Sequence, residues 1–364
     1  MPFRFPLLPL ASAVALVLLL SRVDAPAAMS QIGAPHGTVP PQALSPVIIA
    51  ERPSSVQNLT VDPSQVKPML NRALLVLTSS PDIGTAWTRL GITPQDVVGI
   101  KISTAGGPAM CTHPSVVKAI CDGLQAAGLP PSQIIIWDKS GDKMRAAGYA
   151  PRPATATQPA IASVEPSNNY DPDVFFHSGF AGMLIFGDYQ FAQSLGSDGS
   201  GSGLATKSYY TRFVTQLCTR IVNAPVLSYN ESFGLDGCLS SMALGSVDNN
   251  RRFVGSPTFG DPGIGEIYAS HFIRGKVIVH ILDALVAQYA GGPAFNPIFC
   301  QSYGAIYVGR DPVAIDSLAL PQIDKWRRDN NVASAGDTSS YIRSAAVMSL
   351  GTTDRRRIQF LRVR

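Results

Sequence analysis

The segment from Val97 to Trp137 constrains the fold of this chain more than any other. It opens with Val97-Val-Gly-Ile-Lys-Ile-Ser103, a run of β-branched residues that reads as a buried strand, and closes with a second such run, Gln133-Ile-Ile-Ile-Trp137. Between them Pro114 sits at a first helical position, Val116, Val117, Ile120 and Leu124 line one face, and Gly128 supplies a stop. Strand, helix and strand within roughly forty residues form a βαβ crossover, so the two strands are parallel neighbours joined by a right-handed connection.

This geometry has a chemical consequence. In open α/β sheets ligands bind beyond the carboxyl ends of the parallel strands, and here those ends carry Lys101 and Ser103 on one strand and Asp138 and Lys139 on the other. The loop from Thr104 to His113 leads into the helix N-terminus, where unpaired backbone N–H groups favour an anion. A binding crevice is expected there, with Lys101 and His113 as ligand contacts and Asp138 as a catalytic acid or base. The competing readings are a surface cap or ion pair for Asp138 and local helix capping for His113.

The alternation continues along the chain. Asp62 as N-cap and Pro63 at the first helical position start a helix to about Thr78. A helix from Phe213 to Cys218 runs into the strand Arg220 to Leu227, and Lys276 to Leu282 and Ala305 to Val308 read as further strands. Asp311-Pro312 repeats the capped start, with Val313, Ile315, Leu318 and Leu320 following. The pattern predicts a single α/β domain over 61–364, with a mostly parallel or mixed central sheet, flanking helices and an insertion at 151–210. Within that insertion the Gly- and Ser-rich stretch Ser194 to Ser208 reads as a flexible loop. Lys207 follows Thr206 rather than Gly, so it does not complete a phosphate-binding P-loop.

The N-terminus carries a targeting signal. Arg4 precedes the apolar run Leu7 to Leu20, and Ala25-Pro26-Ala27 offers small residues for cleavage, so 1–27 reads as a secretory signal peptide. Residues 28–60, rich in Pro, Ala, Ser and Gln, read as a flexible linker. The protein is therefore expected to be exported, to a periplasmic or extracellular location, with membrane contact only through an uncleaved leader.

Composition narrows the function classes. With 45% hydrophobic residues in 364, the chain buries a sizeable core, and its 29 basic and 25 acidic residues are dispersed. The one short basic run, Arg355 to Arg357, has no aromatic or Gly-rich companion, so no nucleic-acid partner is expected. Cys111, Cys121, Cys218, Cys238 and Cys300 are widely spaced and include no CxxC, which reads as buried small apolar residues rather than a zinc site or disulfide scaffold.

A polar knot stands out against this background. Gly245-Ser-Val-Asp-Asn-Asn-Arg-Arg-Phe253 follows a helix of small residues and presents Asp248, Asn249, Asn250 and Arg251 as binding candidates for an anionic or polyhydroxylated ligand. The alternative is an Asx-turn that caps the helix. Asp283, after Val-Ile-Val-His-Ile-Leu, and Asp316, one turn into its helix, are costly to bury unless paired or metal-bound. If both met Asp138 at one sheet edge, the trio could hold a divalent metal, with Asp138 and Asp283 as the catalytic pair. Asp311 reads as a helix cap and His280 as a core histidine.

Seven segments taken in order carry a family resemblance: DVVGIKIS, THPSVVKAICDGLQAAGL, IIIWDKS, RIVNAPVL, GLDGCLSSMALGSVDNNRRF, ILDALVAQYAGGP and GRDPVAIDSLAL. Over roughly residues 60 to 325 the chain resembles the uncharacterised family catalogued as domain of unknown function 362. The resemblance implies an α/β fold and, in many relatives, association with iron-sulfur ferredoxin modules. This chain has no cluster-binding cysteine array, so no iron-sulfur cluster is expected in it. Many relatives also place a Lys and a His where this chain reads Ser228-Tyr-Asn-Glu231.

Two function classes follow. One is an exported enzyme acting on a small anionic substrate with carboxylate or metal assistance, using Lys101 and Arg251 for binding. The other is a non-catalytic ligand-binding protein or accessory to a redox complex. Catalysis requires a carboxylate with a perturbed pKa beside a polar pocket, whereas an accessory role predicts an exposed apolar patch.

Overall fold

The computed structural model describes residues 44–165, 167–177 and 207–364. The expected signal peptide, residues 28–43 of the expected linker and most of the Gly- and Ser-rich loop lie outside them.

The chain enters on strand β1 (Ser45–Glu51), followed by the short hairpin β2 (Val56–Gln57) and β3 (Thr60–Val61). Helix α1 (Pro63–Thr78) starts as expected, with the Asp62 side chain accepting from the Ser64 N–H, and α2 (Ile83–Arg89) follows. Then come β4 (Val98–Ile102), α3 (Pro114–Ala126) and β5 (Ile134–Ser140), the predicted crossover. Beyond α4 (Gly141–Ala146) lie β6 (Ala160–Glu165), β7 (Tyr170–His177) and β8 (Lys207–Thr211). Strands β9 (Arg220–Ala224), β10 (Val226–Asn230) and β11 (Gly234–Asp236) lead to α5 (Cys238–Gly245), α6 (Gly263–Tyr268) and α7 (His271–Arg274). The chain closes with β12 (Val277–Gln288), β13 (Cys300–Gly309), α8 (Pro312–Asp329), α9 (Tyr341–Val347) and β14 (Ile358–Val363).

Ten strands form one mixed sheet, ordered β14-β1-β13-β12-β9-β4-β5-β6, with β10 against β12 and β11 against β10. The stretch β12-β9-β4-β5-β6 is parallel throughout, whereas β13 runs antiparallel to both its neighbours. This is the mixed α/β sheet read from the sequence.

Period-two alternation divides the side chains between two cores. Val98, Ile100 and Ile102 of β4 join α1, α2 and α3 on one face. On the other face α5, α6, α8 and α9 pack over Trp137, Ile221 and Leu282. Trp137 stacks on Phe213, with ring centroids 4.9 Å apart.

Two boundaries and one helix type differ from expectation. The linker does not extend to residue 60, because Ser45-Pro-Val-Ile-Ile-Ala-Glu51 lies between β14 and β13 in the main sheet. The Pro- and Ser-rich surroundings hid a strand whose Val47 to Ala50 are all buried. The insertion also starts later than residue 151, because β6 pairs in parallel with β5 and belongs to the sheet. The antiparallel ribbon of β7 and β8 stands apart from it. Finally, Phe213–Leu217 forms a single π-helical turn rather than an α-helix.

Candidate functional site

The candidate site begins with the one charged residue of β4. Alternation sends Lys101 to the face opposite Val98, Ile100 and Ile102, where its side chain is 2% exposed. A buried ammonium is tolerated only when paired. Its Nζ lies 2.9 Å from Asp138 Oδ1, donates to the Ile102 carbonyl at 2.6 Å and sits 5.7 Å from the Trp137 ring centroid. Parallel pairing of Lys101 with Trp137 sets Asp138 one residue further along β5. Asp138 Oδ2 in turn accepts from the Thr104 backbone N–H and hydroxyl at 2.9 and 2.6 Å. Gly245, the last residue of α5, closes over this ammonium. A Cβ there would fall 2.5 Å from Lys101 Cε, which explains the small residue at the helix end.

The pair lines a cavity of about 510 Å³ beyond the ends of β4, β5 and β6, under α5. Lys139, Lys143 and Arg251 contribute positive charge, and Glu165 and Asp236 contribute acids. Lys139 lies 3.8 Å from Glu165, whereas Lys143 and Arg251 have no ion-pair partner among the described residues.

Asp236 is the chemically distinctive member. Half-buried at the end of β11, its carboxyl is pushed up to about 6 by burial. A hydrogen bond from Ser240 and the Lys101 charge oppose that rise, and the Asp138 charge adds to it. Ser240 Oγ lies 3.1 Å from Asp236 Oδ1 and accepts the Gly237 N–H at 3.0 Å, tying the acid to the first turn of α5. From α8, Asp316 accepts the N–H groups of Cys238 and Leu239 at 2.7 and 3.0 Å. Burial pushes the Asp316 carboxyl up to about 7 against those hydrogen bonds. The α5 N-terminus is thus satisfied by a residue distant in sequence.

The expected site residues divide. Lys101, Asp138, Asn250 and Arg251 meet at the cavity. His113 and Asp283 do not line it. Asp283 Oδ2 accepts the His113 N–H at 2.8 Å and lies 2.8 Å from its Nδ1, while Oδ1 accepts from Leu285 N at 3.1 Å. The anion expected at the α3 N-terminus is therefore the chain's own carboxylate, brought there by β12. Burial lowers the His113 pKa, but the Asp283 charge and hydrogen bond outweigh it and the net shift is upward.

Asp248 and Asn249 are structural, but they tie the turn to β8 rather than capping the helix as the turn reading expected. Asp248 accepts the Tyr209 N–H at 2.6 Å, and Asn249, with φ +50°, donates to the Lys207 carbonyl at 2.9 Å. Asn250 donates to the Leu244 carbonyl at 2.9 Å while still lining the cavity.

The expected metal trio does not assemble. Asp138, Asp283 and Asp316 each bind a different partner: a lysine, a histidine and a helix N-terminus. No group of three or more His, Cys, Asp or Glu suited to a metal occurs among the described residues. Each carboxylate meets its hydrogen-bonding needs through its own neighbours.

Other expectations hold. Asp311 caps α8 by accepting from Ala314 N at 2.9 Å. His280 is fully buried between Asn223 and the Tyr268 hydroxyl, its pKa lowered by burial to about 3. All five cysteines are free and buried. Sequence reasoning missed Asp236, Glu165 and Ser241. The signal for Asp236 was its place in Gly-Leu-Asp-Gly directly ahead of the small-residue helix.

Comparisons with known proteins add little. No family model and no curated protein matches the chain. A crystal structure of a protein from Thermotoga maritima is similar at a TM-score of 0.41 and 10% identity over 75% of this chain, which spans 60% of that protein's length. No helix among the described residues is long and apolar enough to cross a membrane.

Proposed function

We propose that this protein is an exported enzyme that acts on a small anionic substrate by carboxylate proton transfer in the cavity beneath α5. Asp236 is the proton-transferring group, the Lys101–Asp138 pair stabilises charge beside it, and Lys143 and Arg251 draw the anion in. One observation carries this reading: a half-buried carboxyl, held at about 6, faces a polar cavity with cationic groups around it. A carboxyl titrating near neutrality is matched to general acid or base work. Export is supported by the apolar run behind Arg4, and membership of the family catalogued as domain of unknown function 362 by the ordered motifs.

The test is a turnover screen of small carboxylates and phosphate esters with the native protein and Asp236→Asn. The expected result is an activity with a pH limb near 6 that Asp236→Asn reduces by at least a hundredfold, the general acid–base range. An activity that survives Asp236→Asn would overturn the assignment.

A further inference from the structure

The cavity wall also carries a hydroxyl that the proton-transfer chemistry does not use. Ser241 lies on the α5 face that lines the cavity, is only 9% exposed, and its Oγ has no hydrogen-bond partner among the described residues. Native proteins rarely leave such a group unmade, because a buried polar atom without a partner forfeits the hydrogen bonds it had in water. Its neighbour Ser240, by contrast, is engaged by Gly237 and Asp236.

The surroundings indicate what would complete it. Five serines and two asparagines are among the lining residues, so neutral hydrogen-bonding groups match the charged ones in number. Phe233 and Leu244 add buried apolar surface beside them. The cations are graded by depth: Lys101 is buried and committed to Asp138, whereas Lys143 and Arg251 are exposed at the rim. A ligand complementary to this gradient carries its charge at one end and hydroxyl groups along a carbon chain at the other.

Building on the proposed function, we infer that the substrate is a polyhydroxylated anion, a sugar phosphate or sugar acid, and that Ser241 is a specificity-determining residue that hydrogen-bonds one of its hydroxyls. A site that hydrogen-bonds a ligand hydroxyl discriminates against ligands lacking it, because its own polar group is then left unpaired.

The experiment is calorimetric titration of the native protein with glucose 6-phosphate, gluconate, inorganic phosphate and glucose, repeated on Ser241→Ala and Arg251→Ala. The expected result is that one hydroxylated anion binds at least about tenfold more tightly than inorganic phosphate, and that Ser241→Ala removes this gain, one hydrogen bond's worth. Which of the two anions binds identifies phosphate or carboxylate as the charged end. Ser241→Ala is also expected to melt at or above the temperature of the unsubstituted protein, since it deletes an unpartnered buried hydroxyl. Equal affinity for phosphate and both hydroxylated anions, no change in Ser241→Ala, or a lower melting temperature in that variant would overturn the inference alone. Failure of every anion to bind, or anion binding indifferent to Arg251→Ala, would overturn the proposed function with it.

Discussion

Two largely buried charged pairs tie strands to their neighbours in this molecule, and they have opposite fates. Lys101 and Asp138 join β4 and β5 with Nζ and Oδ1 2.9 Å apart, and both face the cavity under α5. His113 and Asp283 join the α3 N-terminus to β12 with Nδ1 and Oδ2 2.8 Å apart, and neither lines it. The pairs differ less in their residues than in what covers them. Beside the first, α5 ends in Gly245 and leaves room around an ammonium. At the second, the carboxylate spends its oxygens on His113 and Leu285, so the anion-favouring helix end is already occupied. A buried charged pair marks a ligand site only where the surrounding chain leaves a cavity beside it.

The largest expected difference comes from deleting each acid. Asp138→Ala leaves the buried Lys101 ammonium without its counterion and is expected to cost about 3–5 kcal/mol, the range for breaking a buried pair. Asp283→Ala is expected to cost less, about 1–3 kcal/mol for the lost acceptors, because a histidine left without its acid can shed its proton near neutrality. Urea unfolding of the two variants side by side measures both, and equal losses would break the comparison.

The smallest effect is a pH dependence confined to the second pair. The His113 pKa is raised in the folded protein, so the pair's contribution to stability is complete below the ordinary histidine value, about 6.5, and is lost as pH rises through the higher folded value. His113→Gln is expected to flatten the fall in unfolding free energy across that window and to leave the pH limb near 6 assigned to Asp236 unmoved. A fall of unchanged steepness would place the titrating group elsewhere.

Much of this was legible in the sequence because it depends on local spacing. The β4-α3-β5 crossover follows from β-branched runs and a Pro-started helix, and Lys101 stands out because alternation puts it alone among apolar partners. Asn250 and Arg251 were legible as the end of a polar knot, yet nothing local separated them from Asp248 and Asn249, which hold β8 instead. The strand Ser45–Glu51 was misread because its partners, β13 and β14, arrive about 260 and 310 residues later, as the pairings Val47 with Gly309 and Ser45 with Ile358 show. Asp236 and Ser241 were passed over because a three-residue strand and a short helix carry little periodic signal.

By itself the sequence determined the parallel crossover, the side of the sheet on which Lys101 lies, and the acid towards the carboxyl end of the neighbouring strand. All of these follow from the two-residue repeat of a strand and the hand of the connection. Only the tertiary structure decided which acids share a site. That depended on α8 bringing Asp316 to the buried start of α5, on β12 bringing Asp283 to α3, and on the cavity left under Gly245, where burial rather than residue identity sets the proton affinity of Asp236.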